Sequence, residues 1–146
     1  MRTQGIPSTF KRLPKPWAAA LHLATLCGSV MLLLGLKPGL FRSEAIMAYV
    51  PDFYLHVSNA SISLLLYAGV GYLWLMLGVS MRRLALAGLV VIASNVVYEL
   101  FLLVLNTRDV VDAWYGVAGV ACGWVVLWII DWRGMVPSPF ASPTTP

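Results

Sequence analysis

Four apolar runs, each close to the length that crosses a bilayer, constrain this chain more than any other feature. They are Trp17 to Leu36, Val57 to Val79, Leu84 to Leu105 and Ala113 to Ile130, against the roughly 20 residues a spanning helix requires. Inside hydrocarbon every backbone N–H and C=O must be satisfied within the protein, so runs of this length are expected to be helices. Sixty per cent of the 146 residues are hydrophobic and 11% are charged, with a mean hydropathy of +0.81. That usage is far from a soluble globular domain. The connections Ser80 to Arg83 and Asn106 to Asp112 are short, which favours antiparallel neighbours. The expected fold is therefore an all-α membrane protein, a compact antiparallel four-transmembrane-helix bundle over residues 17–133. A flexible basic arm at 1–16 and a disordered Pro-rich tail at 134–146 are expected to flank it. No repeat long enough for a transporter with inverted halves is present.

The formal net charge of +4 does not indicate nucleic acid, because the basic residues form no stripe interleaved with aromatics and no recognition motif. They serve better as topology signals. Arg2, Lys11, Arg12 and Lys15 in the arm, Arg82 and Arg83 in the second turn and Arg133 after the last run lie on one side. Lys37, Arg42 and Arg108 lie on the other. Seven against three predicts cytoplasmic termini at both ends, in a cytoplasmic (inner) membrane. The first run follows Lys11-Arg12, but it is long for a signal core and no small-x-small site follows, so it is expected to be retained. Membrane lipids are the expected partners. Trp128 and Trp132 suit a headgroup-level anchor beside Asp131 and Arg133. The loop Lys37 to Leu55, with Tyr49, Phe53 and Tyr54, suits the outer surface.

Glu99 breaks the third run. An acid at bilayer depth costs about 2.5–3.5 kcal/mol and commonly marks a working site. The same run carries seven Leu, five Val, one Ile and one Phe, and at about 0.3–0.6 kcal/mol each these offset the cost of insertion. Seven residues separate Glu99 from Asn106, a depth of roughly 10 Å at the helical rise. In this topology Asp52 and His56 at the start of the second span, and Arg108, Asp109 and Asp112 before the fourth, share that outer side. Asp52, His56, Asn59 and Ser63 stand at i, i+4, i+7 and i+11, and Asn95, Glu99 and Asn106 also share a face. Two such stripes bury themselves best against each other. The candidate functional cluster is Asp52, His56, Glu99, Arg108 and Asp112, with Arg108 or His56 the expected partner of Glu99. Polar interhelical hydrogen bonding is the structural alternative, above all for Asn59, Ser63 and Asn95.

Gly116, Gly119 and Gly123 follow Asp112 on one face and form a small-xxx-small surface that permits close helix packing. His22 and His56 are two histidines on neighbouring spans, but their depths differ by roughly 20 Å, so a bis-histidine haem is not expected. Cys27 and Cys122 read as small packing residues rather than as a disulfide or metal pair. No H-E-x-x-H or comparable spacing occurs, and neither a cofactor nor a metal is expected.

These residues together resemble the VanZ-like family of small bacterial membrane proteins, related to a teicoplanin-resistance protein. The resemblance runs from about Asp52 to Trp124. Asp52-Phe53-Tyr54-Leu55-His56 is similar to the Asp and His, four apart, that open that family's second span, with Phe53 where Lys is common. Glu99 is similar to its glutamate near the end of the third span, Arg108 and Asp112 to its loop Arg and following Asp, and Gly119 and Gly123 to its closing Gly-x-x-x-Gly. Leu102 stands where a Gln is common, Gly116 where an Asn is common, and the Arg-to-Asp spacing is short, so the chain would be a divergent member. The resemblance implies a cell-envelope role linked to glycopeptide resistance. Two other classes fit the residues: a membrane enzyme using the cluster as acid and base on a lipid-linked or envelope ligand at the outer leaflet, and a structural assembly partner whose charges lock helices together.

Overall fold

The computed structural model describes residues 10–37, 41–101 and 109–139. The described residues are mostly helical, 79%, and run β1 (Arg12–Pro14), α1 (Pro16–Leu34), α2 (Glu44–Tyr49), α3 (Phe53–Met76), α4 (Met81–Phe101), α5 (Val110–Ile129), a π-helical turn (Ile130–Gly134) and β2 (Met135–Pro137). Four of these helices are long and apolar enough to cross a membrane, and they suggest a membrane protein. Large apolar side chains such as Leu23, Leu86, Leu89, Val90 and Trp114 point outward, a pattern that suits a hydrocarbon solvent and not water.

Alpha3 and α5 form the centre. They make the most extensive interhelical contact, α1 packs on α3, and α4 packs on α5. The core follows from this order: Tyr67 and Leu75 of α3, Leu84 of α4, Val120 and Leu127 of α5 and Ala18 of α1 are buried in one cluster. Tyr67 supplies the polar link, its hydroxyl donating to the Leu84 carbonyl at 2.9 Å.

The helices start and stop at identifiable signals. Pro16 occupies the first turn of α1, where a missing N–H is harmless. Gly78, at φ +81°, ends α3 in the left-handed conformation that glycine adopts without penalty. Asp109 caps α5, its Oδ1 accepting from the N–H groups of Val111 at 2.8 Å and Asp112 at 3.3 Å. Both α3 and α5 begin earlier than the apolar runs do: His56 and Asp112, polar residues trimmed away by a hydrophobicity count, lie within their first turns.

Within the segments expected from sequence to be a flexible arm and a disordered tail, the described residues pair with one another. Arg12, Leu13 and Pro14 pair antiparallel with Pro137, Val136 and Met135. The Lys15 N–H donates to the Gly134 carbonyl at 2.7 Å, Lys11 N–H to Met76 O at 2.9 Å and Ser138 N–H to Lys11 O at 2.9 Å. The Arg12 guanidinium meets the Asp131 carboxylate. This clamp joins the start of α1, the end of α3 and the end of α5. Trp124, Trp128 and Trp132 stack outside it in an i, i+4 ladder, with centroids 6.3 and 5.5 Å apart, and Arg133 lies 4.1 Å over Trp132.

At the opposite end, the connection after α1 hangs on Tyr54. Its hydroxyl accepts from Ser43 N–H at 2.9 Å, Arg42 lies 5.3 Å over its ring, and Ser43 caps the short α2. Cys27 and Cys122 are exposed, a correction to their expected packing role: each falls on the outward side of its helix.

Candidate functional site

Several polar residues gather where α3 and α5 begin and α4 ends. His56, one turn into α3, turns Nδ1 toward Asp112 Oδ1 at 2.8 Å. Asp109 Oδ2 lies 3.7 Å from the same nitrogen. Asp112 belongs in this place on two counts: it sits in the first turn of α5, where unpaired backbone N–H groups favour negative charge, and it faces the helix that carries the imidazole. The Tyr115 ring, one turn further along α5, flanks His56 at a centroid distance of 5.6 Å, and Phe53 approaches Tyr115 at 6.1 Å.

One layer deeper, Asn59 donates from Nδ2 to Glu99 Oε1 at 2.8 Å. Glu99 is only 2% exposed, so the acid that interrupts the third apolar run points inward, toward α3. His56 and Asn59 stand on adjoining turns of α3, and each meets an acid from a different helix, His56 that of α5 and Asn59 that of α4. The arrangement is a two-layer ladder of polar contacts joining three helices.

Glycine makes the layers possible. A Cβ at Gly119 would fall on the Ala60 carbonyl oxygen, with the Ala60 carbonyl carbon at 2.9 Å, so α5 lies against bare α3 backbone. A Cβ at Gly116 would occupy the place of the Asn95 amide, which reaches the Ala113 carbonyl at 3.4 Å. Gly123 faces Tyr67, whose Cδ1 would lie 2.9 Å from such a Cβ. The three glycines singled out from sequence therefore face three different neighbours: Asn95 of α4, and the Ala60 backbone and Tyr67 of α3.

The predicted cluster is brought together only in part. His56 and Asp112 touch, and Glu99 lies in the adjoining layer. Arg108 lies outside the described residues, as does Asn106. Asp52 is not among the carboxylates within 4 Å of His56: it is the exposed residue before α3, with φ −92° and ψ 8° and no capping hydrogen bond. Asp52 immediately precedes the first helical residue, and its carbonyl accepts from the Leu55 N–H at 2.9 Å. Asn59, for which the sequence leaves both structural hydrogen bonding and a role in the site open, is a partner of Glu99. Asp109, which the sequence places on the same outer side but outside the candidate cluster, lies beside His56, and Asp109-Val110-Val111-Asp112 has the spacing of a cap followed by a first-turn acid.

His22 does not join the site. It stacks on Tyr72 at 3.9 Å and 6°, sixteen residues along α3 from His56, or roughly 24 Å along the helix axis. No protein-family model, curated protein or solved structure matches this chain.

The chemistry available follows from the geometry. A histidine in hydrogen-bond contact with a carboxylate is an oriented proton donor or acceptor. A buried carboxyl bound by an amide N–H is an oriented acceptor. The first pair is partly open to solvent, with side-chain exposures of 18% for His56 and 21% for Asp112, so a ligand can reach it.

Proposed function

We propose that the chain is a divergent VanZ-like integral membrane protein of a bacterial-type inner membrane, with both termini cytoplasmic and the His56–Asp112 end outward. In this reading the cluster acts in the cell envelope, in a role linked to resistance to glycopeptides such as teicoplanin. The observation that carries it is the convergence of His56, Asp112, Asn59 and Glu99 at one end of four helices, the end away from most of the basic residues. Polar groups at that depth are costly unless they work or are paired. The order of the family-like residues along the chain supports the same reading.

Two experiments test it. Single cysteines placed near Ser43 and Asp109, in a chain lacking Cys27 and Cys122, are expected to react with an impermeant thiol reagent in intact cells. Protection at both positions overturns the outward orientation. Expression in a susceptible bacterium is expected to raise the inhibitory concentration of teicoplanin, and His56→Gln and Glu99→Gln are expected to abolish the increase while leaving the protein in the membrane. An unchanged inhibitory concentration on expression of the wild type removes the resistance role.

A second reading, favoured by the 2.8 Å His56–Asp112 contact, is a membrane enzyme that uses this pair as a base and its orienting partner on a lipid-linked substrate. Turnover of such a substrate by purified protein, lost in His56→Gln and reduced in Asp112→Asn, is its expected signature. Equal turnover by folded variants removes the pair from the chemistry.

A further inference from the structure

Two carboxylates face one imidazole nitrogen where α3 meets the start of α5. One candidate ligand atom from each of His56, Asp109 and Asp112 lies within 4.8 Å of the others. The residues are far apart in sequence, 56 positions between His56 and Asp112, which is why no metal-binding spacing is visible in the chain.

Hydrogen bonding alone leaves this group unbalanced. An Nδ1–H can satisfy one acceptor, and Asp112 Oδ1 takes it at 2.8 Å. Asp109 Oδ2, at 3.7 Å on a side chain that is 34% exposed, lies beyond hydrogen-bond reach of that nitrogen and has no protein donor among the described residues, so solvent or a cation is left to meet it. A second negative group is thus held against a site whose single proton is already used. A cation accounts for both carboxylates at once.

The two separations from His56 Nδ1 bracket the spacing that a small transition-metal ion imposes. Zinc bonds of about 2.0–2.1 Å in a tetrahedral array place neighbouring ligand atoms roughly 3.3–3.4 Å apart. The two observed separations from His56 Nδ1, 2.8 and 3.7 Å, lie on either side of that value. Asp109 is also pre-aimed: the Val111 and Asp112 N–H groups hold its Oδ1, which leaves Oδ2 turned toward His56. Carboxylate ligands are commonly fixed by such outer hydrogen bonds. One nitrogen and two oxygens suit zinc or manganese better than magnesium, which prefers oxygen ligands and retains several waters.

The geometry points to a divalent transition-metal site of the zinc class formed by His56 Nδ1, Asp109 Oδ2 and Asp112 Oδ1, with a fourth position open. It deepens the reading of this end of the bundle as the working end and rests on it. Three protein ligands with an open position are the pattern of sites that bind or activate a further ligand, whereas structural zinc sites close all four positions.

The test is zinc binding by the purified full chain in detergent, stripped with a chelator and titrated against a chromophoric competitor. One zinc per chain is expected, with magnesium unable to displace it. Asp109→Asn is the decisive variant, because Asn caps a helix as well as Asp does while removing the charge. It is expected to keep the wild-type melting temperature and to lose more affinity than the roughly 10–100-fold that follows loss of an outer-sphere partner. His56→Gln is expected to lose at least as much. X-ray absorption on the loaded protein is expected to show only nitrogen and oxygen neighbours at about 2.0–2.1 Å. Binding below one ion per chain, wild-type affinity in Asp109→Asn, or sulfur around the zinc overturns the proposal, the last by assigning the ion to Cys27 or Cys122. If His56→Gln does not fold, Asp109→Asn still decides. A failed titration leaves the topology and resistance experiments standing, and an inward-facing site leaves the titration standing.

Discussion

Glu99 and Asn59 tie α4 to α3 through one short hydrogen bond between a buried acid and an amide. Interhelical polar contacts of membrane proteins are worth about 0.6 kcal/mol on average and up to roughly 1.7, since the unfolded chain in a membrane also finds partners. A double-mutant cycle with Asn59→Ala and Glu99→Ala, followed by unfolding in mixed micelles, is expected to give a coupling energy in that range. Glu99→Gln is expected to cost less than Glu99→Ala, because its carbonyl oxygen can still accept from Asn59. A coupling near zero would mean that the contact contributes nothing to holding the helices together. Glu99 was legible in the sequence because a charge in an apolar run is conspicuous. Its described partner was legible only as a position on a helical face, since an asparagine there has many equally good uses. Asp109 was harder still: a cap belongs to no apolar run, and its nearness to His56 exists only once α5 starts where it does.

The α3–α5 contact depends on Gly119 more than on any hydrogen bond. The atom that a new Cβ would strike is a backbone carbonyl oxygen, that of Ala60, and backbone cannot rotate away as a side chain can. Gly119→Ala is therefore expected to force α3 and α5 apart and to destabilise by about 1–3 kcal/mol, the range for overpacking a close-packed core. Gly71→Ala meets the flexible end of Leu127 and is expected to cost less. Gly28→Ala meets nothing within 4 Å and is expected to be neutral or slightly stabilising, because alanine is the better helix former. Unfolding midpoints in detergent that failed to rank the three in this order would refute the packing account. The helices themselves were legible from length and apolarity, and the glycine surface from its spacing. The helix ends were not, because His56 and Asp112 are polar residues that a count of apolar positions leaves out, although Asp112 follows the Asp109 cap and the two meet each other.

Both ends of the four-helix array are tied across the chain, and the two ties differ in kind. Polar side chains within the helices join one end, whereas backbone pairing between residues more than a hundred positions apart closes the other. That second tie left no mark in the sequence, because strands of three residues have no periodicity and prolines at Pro14 and Pro137 argue against strand. They are tolerated here because each strand has one open edge, where a missing N–H costs nothing. Strands this short do not hold themselves together in isolation, so their order is inherited from what surrounds them, chiefly the part-buried Arg12–Asp131 ion pair and the Lys15 N–H on the Gly134 carbonyl. A part-exposed ion pair contributes about 0.2–1 kcal/mol, too little to decide whether the helices assemble but comparable to the free energy of opening a small local unit. Arg12→Ala is accordingly expected to lower global stability by no more than that amount, while the amides of Lys11, Lys15 and Ser138 exchange with solvent several times faster. Amides near Leu75, inside the buried cluster, are expected to keep their wild-type protection. Wild-type exchange at Lys15 and Ser138 in this variant would show that the pairing of β1 with β2 stands without the ion pair, and would move its cause to the turn at Gly134, where a Cβ would come within 2.5 Å of the Ala18 methyl.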